Sequence, residues 1–139
     1  MVVEQVSHIG LSKYLGENVE LSFRMGNKIC FEGKGLFRFL LLDIKDEYGN
    51  ILTDHAWVYG SGDVVAFAVQ LAQGIKNCKI TGSVASYRYG HLRHTGGYGI
   101  RTWNKMEIDG DDIQIKVWRD AGLYRAAYIM DGIETEIRL

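Results

Sequence analysis

Not one proline occurs in the 139 residues, while glycine occurs 17 times. Glycine must therefore supply the turns, because it alone takes positive φ freely. It separates short apolar runs at intervals of 8–12 residues, the spacing of a chain built from many strands rather than from a helical bundle. Apolar residues make up 47% and charged residues 24%, which excludes a disordered chain. No aliphatic or aromatic run, Phe39–Leu42 included, is long enough to span a membrane. Residues 1–20 lack a basic flank followed by an apolar core, so no secretory signal is expected and the setting is read as cytoplasmic. Cys30 and Cys78 alone cannot build a disulfide scaffold or a structural zinc site, and are read as reduced, buried thiols.

Periodicity gives the elements. Val19, Leu21 and Phe23 alternate with Glu20, Ser22 and Arg24, the period-two mark of a half-buried strand. That strand either continues through Met25 or re-forms at Ile29–Phe31 after the turn dipeptide Gly26-Asn27. Ser12–Gly16 is read as one helical turn ahead of it. Leu36–Ile44 is a dense apolar run and predicts a central strand buried on both faces for part of its length. Ile51–Tyr59 pairs with it across Tyr48-Gly49-Asn50. Val64, Val65, Ala68, Leu71, Ala72 and Ile75 then fall at helical spacing, with Asp63 as N-cap and Gly74 as C′ residue. Strands follow at Cys78–Tyr89 and Ile100–Ile108, joined by the glycine-rich His91–Gly99. The last 28 residues alternate in three segments, a three-stranded meander.

Three strands, a helix and two strands is the order of an OB-like five-stranded barrel with its helix between strands three and four. The chain is thus expected to be mostly β and a single domain, 1–139. Its OB-like core covers about residues 12–108, and a C-terminal three-stranded antiparallel extension, about 112–139, packs on it. Leu41-Leu42, Ile44-Lys45-Asp46, Gly49 and Thr53-Asp54-His55 with Trp57 resemble small uncharacterised OB-fold-like proteins of bacterial phages and mobile elements. Gly82-x-Val84 with Tyr87-x-Tyr89-Gly90 is similar to the fourth strand of such proteins. The resemblance covers about residues 12–105, implies the fold and brings no catalytic residue; the chain departs from it in the helix after Tyr59 and in the meander.

Charge is unevenly placed. Between Asp63 and Glu107 lie 43 residues with six cations (Lys76, Lys79, Arg88, Arg93, Arg101, Lys105) and no acid, although the whole chain is −1. Such asymmetry predicts either one basic face or a solvated sheet whose cations meet acids from elsewhere in the chain. Within it, Tyr87, Tyr89, Tyr98 and Trp103 interleave with Arg88, Arg93, Arg101 and Lys105. Aromatic faces that stack bases and cations that follow phosphates are what single-stranded nucleic acid requires. These eight residues form the expected nucleic-acid-binding set, with Trp103, Tyr87 and Tyr89 either stacking bases or packing the groove floor. The same residue types also suit a protein interface. The alternative function is therefore a phage or mobile-element module that inhibits a host nucleoprotein complex, with Trp118, Tyr124 and Tyr128 exposed on the meander. Ile133–Leu139 offers a possible homo-oligomer edge.

Enzyme chemistry finds no support. Asp54-His55 could orient an imidazole, but no Gly-x-Ser-x-Gly elbow accompanies it. His91 and His94 lack nearby partners for zinc, and Glu107–Asp112 lacks the calcium-loop spacing. Gly33-Lys34-Gly35 is no phosphate loop, and Gly96–Gly99 no dinucleotide fingerprint. No cofactor, metal or membrane partner is expected.

Overall fold

A computed structural model describes residues 8–86 and 97–139. A 3-10 helix, His8–Tyr14, precedes β1 (Asn18–Gly33), β2 (Leu36–Lys45), β3 (Ile51–Ser61), α1 (Asp63–Leu71), β4 (Asn77–Ser86) and β5 (Tyr98–Asp109). Then come β6 (Gln114–Asp120), β7 (Leu123–Met130) and β8 (Ile133–Glu136). The hydrogen-bonded order is β3-β2-β1-β4-β5-β6-β7-β8, and a parallel β3–β5 pairing closes the first five strands into a barrel. The OB-like plan of one helix between β3 and β4, with three further strands outside the ring, is therefore present.

β1 bends because it carries more residues than its partner. Met25 faces Leu41 and Ile29 faces Phe39, so β1 spends two extra residues at Gly26–Lys28. Gly26-Asn27 is thus a bulge within one strand and not a turn between two. A Cβ on Gly26 would lie 2.8 Å from the Leu40 carbonyl oxygen, which only glycine avoids. The bend lets the first half of β1 pair with β4 while its second half follows β2 alone. Gly82 of β4 instead faces a bulge in β5, where Asn104 is the extra residue, and a Cβ on it would sit 2.6 Å from the Thr102 oxygen.

Inward side chains follow the alternation: Leu21, Phe23 and Met25 from β1, Phe37, Phe39 and Leu41 from β2, Ile80 and Val84 from β4. α1 adds Val65, Ala66, Ala68 and Val69 to that core, with Ala72 just beyond it. Gly62 occupies the N-cap, so Asp63 is the first helical residue, and Leu71 is partly exposed rather than buried. The extension is not a separate body. Ile115, Val117, Ala126 and Ile137 belong to the same hydrophobic cluster as the barrel interior.

Trp103 is the joint between the two. Its indole Nε1–H donates to the Tyr59 carbonyl at 2.8 Å, tying β5 to β3 close to the one paired position between them, Val58 and Ile100. Tyr124 stacks on its ring at 4.4 Å and donates its hydroxyl proton to the Trp103 carbonyl at 2.7 Å. Phe39 meets the ring edge-on from inside the barrel. No described helix is long and apolar enough to cross a membrane.

Candidate nucleic-acid interface

Alternation that sends Phe37, Phe39 and Leu41 inward sends Arg38, Leu40 and Leu42 out of the barrel. Their β3 partners are Tyr59 for Arg38, Trp57 for Leu40 and His55 for Leu42. Cys30 of β1 lies across from Arg38 on the other side. Trp57, Cys30, Leu40 and Tyr59 form a second hydrophobic cluster, separate from the core. The Arg38 guanidinium covers the Trp57 ring at 4.9 Å and its Nε lies 2.6 Å from Glu32 Oε2. Trp57 is only 8% exposed, so it forms a floor, while Tyr59 is half-buried above it.

Barrel closure brings a further cation to this patch. Val58 pairs with Ile100 in parallel, so Tyr59 and Arg101 each follow directly on the residue that closes the barrel. Arg101 is exposed. A cross-strand row therefore runs Cys30–Arg38–Tyr59, and Arg101 leaves β5 just past the closing pair. The β1–β2 turn, with Lys34 at φ 57° between two glycines, borders the same end of these strands.

The hairpin that carries the patch is held at its other end by Asp46. Its Oδ1 accepts from the backbone N–H groups of Tyr48 (3.0 Å) and Asn50 (2.9 Å). Its Oδ2 accepts from the Asn50 amide (2.9 Å) and the Tyr14 hydroxyl (2.8 Å). Burial opposes the charge on Asp46, but these four hydrogen bonds outweigh it and hold the carboxyl at about 2. The bond to that carboxylate, together with burial, pushes the Tyr14 phenol up to about 12.

The residues predicted from sequence divide. Tyr98 is half-buried and packs on the core, and Arg101 is exposed beside the β2–β3 patch. Trp103 is fully buried; packing is its role, and its ring has no face left for a base. Lys105 is exposed but lies on the far half of β5, between Thr81 of β4 and Trp118 of β6. Tyr87, Arg88, Tyr89 and Arg93, with His91 and His94, lie outside the described residues. The acid-free stretch does not make a uniform basic face where it is described. Lys79 sits across from Glu107, which sits across from Lys116. Arg38, Trp57 and Tyr59 were missed as a set because they lie in two strands; their outward alternation, Arg38-x-Leu40-x-Leu42 against His55-x-Trp57-x-Tyr59, was the available signal.

Catalytic groupings are sparse. His55 Nδ1 and Asp54 Oδ1 are 2.7 Å apart on the exterior of β3, but both belong to a strand surface. Burial raises the Cys78 thiol to about 12, which leaves it unreactive near neutrality. Among the described residues no three His, Cys, Asp or Glu side chains gather as metal ligands. No protein-family model, curated protein or solved structure matches the chain.

Proposed function

We propose that this chain is a non-enzymatic module that binds single-stranded DNA or RNA across the outward face of β2 and β3 and the start of β5. The pair Arg38–Tyr59 above the Trp57 floor, with exposed Arg101 next to the closing pair Val58 and Ile100, carries the reading. Strands two and three, with the loops beside them, are where OB barrels hold oligonucleotides. There Tyr59 supplies a π-face, exposed Arg101 supplies a phosphate contact, and Arg38, laid over Trp57 and paired with Glu32, widens the stacking surface. A cytoplasmic setting, with Cys30 and Cys78 reduced, belongs to the proposal. The competing protein-partner reading asked for exposed Trp118, Tyr124 and Tyr128, and all three are half-buried.

Fluorescence anisotropy of a labelled oligonucleotide, titrated at low and at physiological salt, tests this. Affinity should fall with salt, by a log–log slope of about 0.7 per phosphate contacted. Arg38→Glu and Arg101→Glu should each weaken binding about tenfold or more. Absence of binding at low salt would overturn the proposal.

A further inference from the structure

Another stretch of the barrel exterior holds a different site. The outward faces of β2, β1, β4, β5 and β6 curve around a concavity of about 750 Å³, within the size range of small-molecule sites. One cross-strand row forms its centre: Lys45, Ser22, Lys79, Glu107 and Lys116 stand side by side on five successive strands. Beside it run Asn77, Asp109 and Gln114.

Pairing separates these charges into spent and unspent ones. Arg24 is held by Asp43 at 3.0 Å, and Lys116 by Glu134 at 2.8 Å. Asp109 accepts from the Gln114 amide at 3.2 Å. Among the described residues, Lys45, Lys76 and Lys79 make no ion pair, and neither does Glu107. At one end, Lys45 and Lys79 stand on either side of Ser22, and Lys76 lines the same concavity nearer Arg24. Carboxylates of Glu107 and Asp109 stand at the other. Ser22 and Glu107 are two strand spacings apart, about 10 Å. One end thus suits a dianion, through ammonium donors and a hydroxyl. The other end is an acceptor for hydroxyl or amino groups, and would repel a second phosphate.

We infer that this concavity binds a phosphomonoester with a hydroxyl-rich body, its phosphate over Ser22 between Lys45 and Lys79 and its hydroxyls toward Glu107 and Asp109. A pentose phosphate has that polarity and that reach. Its phosphate oxygens accept hydrogen bonds from the lysines and Ser22, and its hydroxyls donate to the carboxylates. The aliphatic stems of the lysines wall the sides.

Titration of the isotope-labelled chain with ribose 5-phosphate, followed by amide resonances, tests the assignment. Ser22, Lys79 and Glu107 should respond, while Arg38 and Arg101 should not. Lys45→Gln and Lys79→Gln, both at exposed positions, should each weaken binding about tenfold. Glu107→Gln should weaken ribose 5-phosphate but leave inorganic phosphate unchanged. A 5′-phosphorylated dinucleotide is the second probe. If it binds more tightly than ribose 5-phosphate, the ester is the end of a nucleic acid; the reverse assigns a free sugar phosphate. Either requires Ser22 and Lys79 to respond. Binding of inorganic phosphate as tight as that of ribose 5-phosphate would overturn the assignment, as would unaltered affinity in Lys79→Gln.

Discussion

Two outward faces of one barrel have opposite chemistry. The β2–β3 face is apolar and aromatic, with one guanidinium laid over an indole. Across β1, β4, β5 and β6 the outward face is a lattice of lysines and carboxylates. Both arise from the same pleat, since every other residue must point away from the core. The faces therefore differ only in what stands at alternate positions. An aromatic cluster topped by a guanidinium presents a surface fit for planar rings; a lattice of mixed charge is solvated and only partly self-neutralised. Charge counted along the chain does not survive folding as charge gathered in space. The run without acids donates Lys79 and Lys105 to a sheet whose acids come from β1, from β8 and from the end of β5.

The largest way to break this contrast is to remove the joint on which both faces depend. Trp103→Ala should cost about 3–5 kcal/mol, because a fully buried indole is lost together with its bond to Tyr59. Trp57→Ala, in a small cluster on the exterior, should cost less stability and more oligonucleotide affinity. Urea denaturation and anisotropy on both variants would separate the roles. Equal stability losses would place Trp57 in the main core instead.

Acid acts next, through the hairpin that carries the aromatic face. Asp46 has its carboxyl depressed in the fold, to about 2 from 3.8. Its contribution is complete above the unfolded value and is lost as pH falls through about 2. Asp46→Asn should flatten the acid limb of the stability curve below about pH 4. Tyr14→Phe removes one of the four hydrogen bonds and should move the carboxyl part of the way back toward its ordinary range. An unchanged acid limb in both variants would mean that other carboxylates govern acid unfolding.

Smaller effects sharpen the comparison. Tyr124→Phe keeps the stacked ring and deletes the bond to the Trp103 carbonyl, for about 1 kcal/mol by thermal melting. Lys105→Glu should change oligonucleotide affinity far less than Arg101→Glu, although both residues lie in one strand of the acid-free stretch. Equal losses would return the binding surface to the lattice side.

The barrel was legible in the sequence because its signals are local. Strand alternation, the apolar run at Leu36–Ile44 and helical spacing from Val65 each need only a short window. The bulge at Gly26 was not legible, since Gly-Asn suits a tight turn equally well and only the register with β2 decides. Trp103 was misplaced for a related reason. An aromatic beside cations reads as a surface residue until closure shows β3 on one side of it and Tyr124 on the other. The candidate site was hidden further still. Arg38, Tyr59 and Arg101 are separated by 21 and 42 residues and meet only through β2–β3 pairing and barrel closure.

The central claim is that single-stranded nucleic acid lies on the β2–β3 face, and the three tryptophan indole N–H resonances test it directly. Trp57 floors that face, Trp103 is locked in the core and Trp118 stands on the lattice side. Addition of an oligonucleotide with a 5′-hydroxyl end should shift the Trp57 indole signal, together with the amides of Arg38, Tyr59 and Arg101, and leave Trp118 in place. Movement of Trp118, Lys79 and Lys105 with Trp57 unmoved would contradict the account.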